Sequence, residues 1–90
     1  NLNKEKKARL RRAVSKICSA IDELKEQSDL IQEVIYEEQD ASDSTPENFK
    51  TTDRWIDAEA LLDETYRLKD DVTYCVCLLQ NSTDNVENAM

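Results

Sequence analysis

From Leu10 onward apolar residues return at alternating steps of four and three: Leu10, Val14, Ile17, Ile21, Leu24, Ile31 and Ile35, with Ser28 as the one polar interruption. That spacing keeps one stripe of a helix turned toward a neighbour. With Leu10, Ile17, Leu24 and Ile31 at d and Val14, Ile21 and Ile35 at a, it reads as a coiled-coil seam. Neither proline nor glycine precedes Pro46, so nothing stops a helix over about residues 3–39. At ~1.5 Å per residue it is roughly 55 Å long. Such a rod has no core of its own and needs a partner.

The same logic returns after the midpoint. Ala58, Leu61, Thr65, Leu68, Val72, Cys75 and Leu79 form a second seam, which Trp55, Leu62 and Val76 widen on one side. The spacing predicts a helix over about residues 53–80, with Thr52 or Asp53 as N-cap, Asn81-Ser82 as its end and 81–90 as a tail. Thr45-Pro46-Glu47 is a competing helix start, because proline suits the first helical position. Asn48, Thr51 and Thr52 are weak helix formers and favour the later start. Between the helices, residues 40–52 make an acidic, Ser/Thr-rich linker long enough to reverse the chain. The expectation is a single all-α domain over 1–90: an antiparallel helical hairpin of coiled-coil character.

Both seams are wider than a two-helix contact requires. Ala13, Ala20 and Val34 flank the first, and Trp55, Leu62 and Val76 flank the second. A stripe this wide meets two neighbours. The hairpin is therefore expected to dimerise into a four-helix bundle, or to lend its flank to a helix of another protein. Ala20, Val34, Trp55, Leu62 and Val76 are the expected intermolecular positions. Trp55, just after the linker, suits either an interface anchor or core packing, whereas Tyr66 is expected at the surface. The competing arrangement is a monomer whose tail or linker covers the stripe.

Charge divides the rod. The chain has 12 Lys+Arg against 20 Asp+Glu, net −8. Lys4, Lys6, Lys7, Arg9, Arg11 and Arg12 against Glu5 give the N-terminal tip +5, leaving −13 for the rest. With a shorter second helix, Lys4–Arg12 is expected to overhang the pair. This basic patch can meet phosphates of nucleic acid or lipid, but it has no aromatic residue to stack on a base. A solvated helix tip, or a patch that meets an acidic protein surface, fits it better.

Composition closes several chemistries. The chain has no glycine and no histidine, which removes phosphate-cradling loops, the commonest general base and the commonest metal ligand. Cys75-Val76-Cys77 resembles a metal or redox pair, but residues two apart on a helix point to different sides, and zinc needs four ligands. Antiparallel pairing is expected to bring Cys18 near Tyr74 and Cys75, within reach of a disulfide in an oxidising compartment. The acidic pairs Asp22-Glu23, Glu37-Glu38, Asp63-Glu64 and Asp70-Asp71 read as a solvated surface rather than acid–base machinery. Asp63 to Arg67 and Arg67 to Asp71 have the spacing of surface ion pairs. No enzyme activity, metal or cofactor is expected.

The chain begins at Asn1, which points to an excised domain or a processed product, and its longest apolar, uncharged run, Val72–Gln80, is too short to span a bilayer. Three cysteines, an odd number, favour an intracellular setting, cytoplasmic or nuclear. Asn81-Ser82-Thr83 matches a glycosylation sequon and Thr45-Pro46 a proline-directed phosphorylation site, though helix capping explains Thr45 as well. The expected function is a non-catalytic interaction module for homo-oligomerisation or scaffolding. The alternative is a nucleic-acid-associated module using the basic tip, and a weaker third reading is a membrane-peripheral or secreted helical domain. Heptad spacing identifies an architecture rather than an ancestry.

Overall fold

The computed structural model describes residues 3–90 and contains two α-helices folded back on one another. Helix α1 spans Lys4–Asp43 and helix α2 spans Asp53–Ala89, with one turn of 3-10 helix, Glu47–Phe49, between them. The pair is a rod of 68 × 16 × 16 Å. Two straight helices side by side would be broad in one direction and thin in the other. Equal transverse extents mean that they wind around each other, as a seven-residue apolar repeat demands.

Short polar side chains set the helix ends. Asn3 Oδ1 accepts from the Lys6 amide at 2.9 Å and starts α1. At the other end the Ser44 and Thr45 hydroxyls donate back to the carbonyls of Asp40 and Ala41, at 2.9 and 2.7 Å, and Pro46 takes the chain out of the helix. The Thr52 hydroxyl oxygen accepts from the Trp55 amide at 3.3 Å and starts α2. Asn3 and Thr52 thus occupy amides that the first turn of a helix leaves without a partner, and Ser44 and Thr45 occupy carbonyls of the last turn.

Both helices run further than their local sequence predicts. Helix α1 continues through Asp43, past the expected end near Gln39, so residues 40–43 belong to the rod and not to the linker. Helix α2 does not stop at Asn81-Ser82; it includes the expected tail and reaches Ala89. Asn81, Ser82 and Thr83 are poor helix formers, but Thr83 is buried and Val86 and Met90 are half-buried, and this packing overrides the local preference. The overhang of α1 shrinks as a result. Arg11 and Val14 already share a groove with Glu87 and Met90, leaving roughly two turns, Lys4–Leu10, beyond α2.

The seam of α1 lies where its spacing put it. Val14, Ile21 and Ile35 are buried, Leu10, Leu24, Ser28 and Ile31 are half-buried, and Ile17 sits at the margin. Helix α2 is turned about its axis from its expected orientation, so that Thr65, Val72 and Leu79 of the expected seam stay half-buried at the margin of the contact. The line facing α1 is Trp55, Leu62, Lys69, Val76, Thr83 and Met90, at strict seven-residue steps, with Glu59, Tyr66 and Gln80 half-buried beside it. Val76 is buried and Tyr66 is not a free surface residue. Of the expected α2 seam, Ala58, Leu61, Leu68 and Cys75 face outward, with Leu61 and Leu68 70% and 52% exposed. The closed end accounts for this rotation. The Lys50 ammonium lies 5.5 Å from the centre of the Trp55 ring, and the Ser42 hydroxyl reaches Glu59 Oε1 at 3.4 Å. The Trp55 line, moreover, continues through Thr83 to Met90 and so engages α1 along the whole of α2.

Candidate functional site

The hairpin has two flanks of different chemistry, one on each side of the contact between its helices. The residue following each centre-line position is Ser15, Asp22, Asp29 and Tyr36 on α1, and Ile56, Asp63, Asp70, Cys77 and Asp84 on α2. The residue preceding each centre-line position is Ala13, Ala20, Gln27 and Val34 on α1, and Arg54, Leu61, Leu68, Cys75, Ser82 and Ala89 on α2. Reversing a helix also reverses its sense of rotation as seen from one end. In an antiparallel pair the following residues of both helices therefore share one side, and the preceding residues share the other.

The grooves between the helices agree with that geometry. Cys18 and Asp22 line one groove together with Gln80 and Asp84, and Lys25 and Asp29 line another with Thr73 and Cys77. This is the polar flank, with Asp22, Asp29, Asp63, Asp70 and Asp84 along it. At the equivalent positions the opposite flank carries a single charge, Arg54 beside the linker. There the half-buried row of Leu24, Ile31, Val72 and Leu79 runs outward into exposed Ile17, Val34, Leu61 and Leu68. Single exposed apolar side chains are ordinary, but a continuous row along both helices is not.

The five positions expected to meet a partner divide between two environments. Ala20 and Val34 are exposed on the apolar flank. Trp55, Leu62 and Val76 lie on the line facing α1, because α2 is rotated, and the hairpin itself covers them. Leu61, Leu68 and Cys75 take their place on the flank. The signal for them was present in the sequence as an apolar row; only its assignment to the inner contact was wrong.

The basic residues Lys4, Lys6, Lys7, Arg9, Arg11 and Arg12 all lie in the first turns of α1, and all but half-buried Lys7 are exposed. The two ion pairs found among the described residues, Lys50–Glu47 at 3.1 Å and Arg67–Glu64 at 3.2 Å, are local. Arg67 thus bonds three residues back, not to Asp63 or Asp71. Neither pair links α1 to α2, so apolar packing and the Ser42–Glu59 bond set the hairpin's register.

The thiols of Cys18, Cys75 and Cys77 are free. Cys18 lies beside Gln80 and Thr83, well along α2 from Cys75, and on the other flank. The expected Cys18–Cys75 proximity is absent because α2 runs further toward the open end and pairs in a shifted register. Among the described residues no group of three or more His, Cys, Asp or Glu side chains is placed to hold a metal ion. No helix among them is long and apolar enough to cross a membrane. Asn81 lies within α2, and the Thr83 hydroxyl of the sequon donates to the Gln80 carbonyl at 3.1 Å.

Fold and surface together define a two-helix antiparallel hairpin with one polar and one apolar flank. No family model matches the chain, and neither a curated protein nor a solved structure matches it.

Proposed function

We propose that this chain is a non-catalytic protein–protein interaction module that self-associates through its apolar flank to form a four-helix bundle. The observation that carries the reading is the uneven distribution just described: Ala13, Ala20, Val34, Leu61 and Leu68 precede the centre line, and Asp22, Asp29, Asp63, Asp70 and Asp84 follow it. Hairpin formation leaves the outer part of the flank uncovered, since the helices meet through the centre line and the half-buried residues beside it. An exposed apolar row continuous with the inner seam is what a second layer of helices covers in a bundle.

The rod exposes 7197 Å², against about 5400 Å² for a compact monomer of this mass, because its elongated shape leaves both flanks open along their length. Covering an exposed leucine contributes about 1.5–3 kcal/mol. Leu61 and Leu68 from two copies, together with Ile17 and Val34, reach the order of the association cost of about 4–15 kcal/mol.

Sedimentation equilibrium tests the reading. The wild-type chain is expected to shift from monomer to dimer as its concentration rises, Leu68→Glu to remain monomeric, and Cys77→Glu on the polar flank to dimerise like wild type. A wild-type monomer throughout the millimolar range would overturn it, and so would a dimer that Leu68→Glu leaves intact.

A further inference from the structure

We infer that the two copies stack with their rods reversed, so that the basic tip of each lies on the acidic closed end of the other. This orientation rests on the self-association proposed above and adds its partner geometry. Two identical hairpins meeting through the same flank are related by a twofold axis in the plane of contact. The axis runs either along the rod, placing like ends together, or across it, placing unlike ends together. The apolar rows do not choose between these. They pass through the middle of the rod on both helices, where Ser28 faces Val72 and Val76, and they overlap in either arrangement.

Charge does choose. Lys4–Arg12 carries +5, six basic residues against Glu5. The closed end, residues 37–59, carries eight carboxylates against Lys50 and Arg54, net −6. These ends lie at opposite extremes of a 68 Å rod. The screening length at physiological salt is about 8 Å, so the two ends of one copy barely sense each other. A stacked copy is different, because its helix axes lie about 10 Å away. With like ends together, +5 faces +5 and −6 faces −6. Reversal lays α1 on the partner's α1 and sets Lys6, Arg9 and Lys16 along the same edge as the partner's Glu37 and Glu38 positions. The tip's projection past Met90 is also accounted for: reversed, those turns lie over the linker end of the second copy and not beyond the bundle.

Energy transfer between labelled copies tests the orientation. In a background of Cys18→Ser, Cys75→Ser and Cys77→Ser, one thiol is placed at the exposed tip by Ala8→Cys or at the exposed linker by Asn48→Cys. Mixed Ala8→Cys donor and Asn48→Cys acceptor copies are expected to transfer strongly, with the labels within about 20 Å. Mixed copies both labelled at Asn48→Cys are expected to transfer almost nothing across nearly the full 68 Å. The opposite pattern overturns the reversed orientation while leaving the dimer standing. A monomer by sedimentation removes the dimer and the orientation with it, so the two failures are distinguishable.

A second measurement keeps all three native cysteines. Lys4→Glu with Lys6→Glu and Arg9→Glu is expected to weaken dimerisation at least about tenfold at low salt. A copy bearing Glu37→Lys, Asp40→Lys and Asp43→Lys is expected to pair with that variant and restore association. Dimerisation unaffected by the tip variants, accompanied by salt-sensitive RNA binding that they abolish, would assign the basic segment to nucleic acid and overturn the inference.

Discussion

The two flanks of the hairpin are built on the same backbone, lie equally far from the centre line and differ by two residues in register. One presents Ala20, Val34, Leu61, Leu68 and Cys75; the other presents Asp22, Asp29, Asp63, Asp70 and Asp84. If closing the hairpin were all the sequence specified, both could be polar with no loss to the inner contact. The inner line itself is not especially greasy. Glu59, Tyr66, Lys69, Gln80 and Thr83 are half-buried or buried within or beside it, while Leu61 and Leu68 stand in water. Hydrophobicity in α2 is thus displaced from where this chain folds on itself to where it can meet another.

Four experiments probe that contrast, beginning with the largest expected effect. Val76→Glu places an unpaired carboxylate on the buried centre line, which costs several kcal/mol. The helical circular-dichroism signal is expected to collapse, unlike that of Leu68→Glu on the flank. Ile35 is fully buried, and Ile35→Ala is expected to lower the stability in urea by about 2–5 kcal/mol. Val34→Ala, one residue away on the flank, is expected to cost far less in monomer stability and to weaken association instead.

The native thiols provide a finer reading, since Cys75 and Cys77 are both exposed and lie on opposite flanks. Raising the protein concentration is expected to slow alkylation of Cys75 about tenfold as dimer forms, a change of about 1.4 kcal/mol in effective protection. The rate at Cys77 is expected to stay constant. Equal protection at the two would erase the distinction between the flanks. The smallest effect concerns the closed end. Thr52→Ala removes a cap and is expected to destabilise the chain by about 1 kcal/mol in thermal unfolding. The ratio of Cys75 to Cys77 reactivity should not change, because the Trp55 line still determines the rotation of α2.

Much of this architecture was legible along the chain, and the illegible part has a physical cause. In α1 the apolar residues are concentrated on two neighbouring lines, Val14–Ile21–Ile35 and Leu10–Ile17–Leu24–Ile31, so the face turned inward could be assigned from spacing alone. In α2 the apolar arc is broad enough to contain two adjacent lines, one through Leu61 and Leu68, the other through Leu62 and Val76. Periodicity cannot say which line faces inward, because both repeat with the same seven-residue step. The choice comes from tertiary contacts at the linker, where Trp55 meets Lys50, and from the continuation to Thr83 and Met90. Spacing likewise revealed that an outward-facing apolar flank exists and placed Ala20 and Val34 on it, but not Leu61, Leu68 or Cys75. The end of α2 was hidden because Asn81-Ser82-Thr83 reads locally as a stop, and only burial of Thr83 against α1 overrules it.

The winding of the two helices constrains anything that binds along them. Because the rod coils, its water-facing strip of leucine and valine follows a spiral path. A rigid straight cylinder laid beside it touches that strip only briefly before the strip turns away. Continuous engagement requires a companion that curls with the same hand and pitch, which restricts admissible companions to chains sharing the seven-residue rhythm. A copy of this very polypeptide meets that condition automatically.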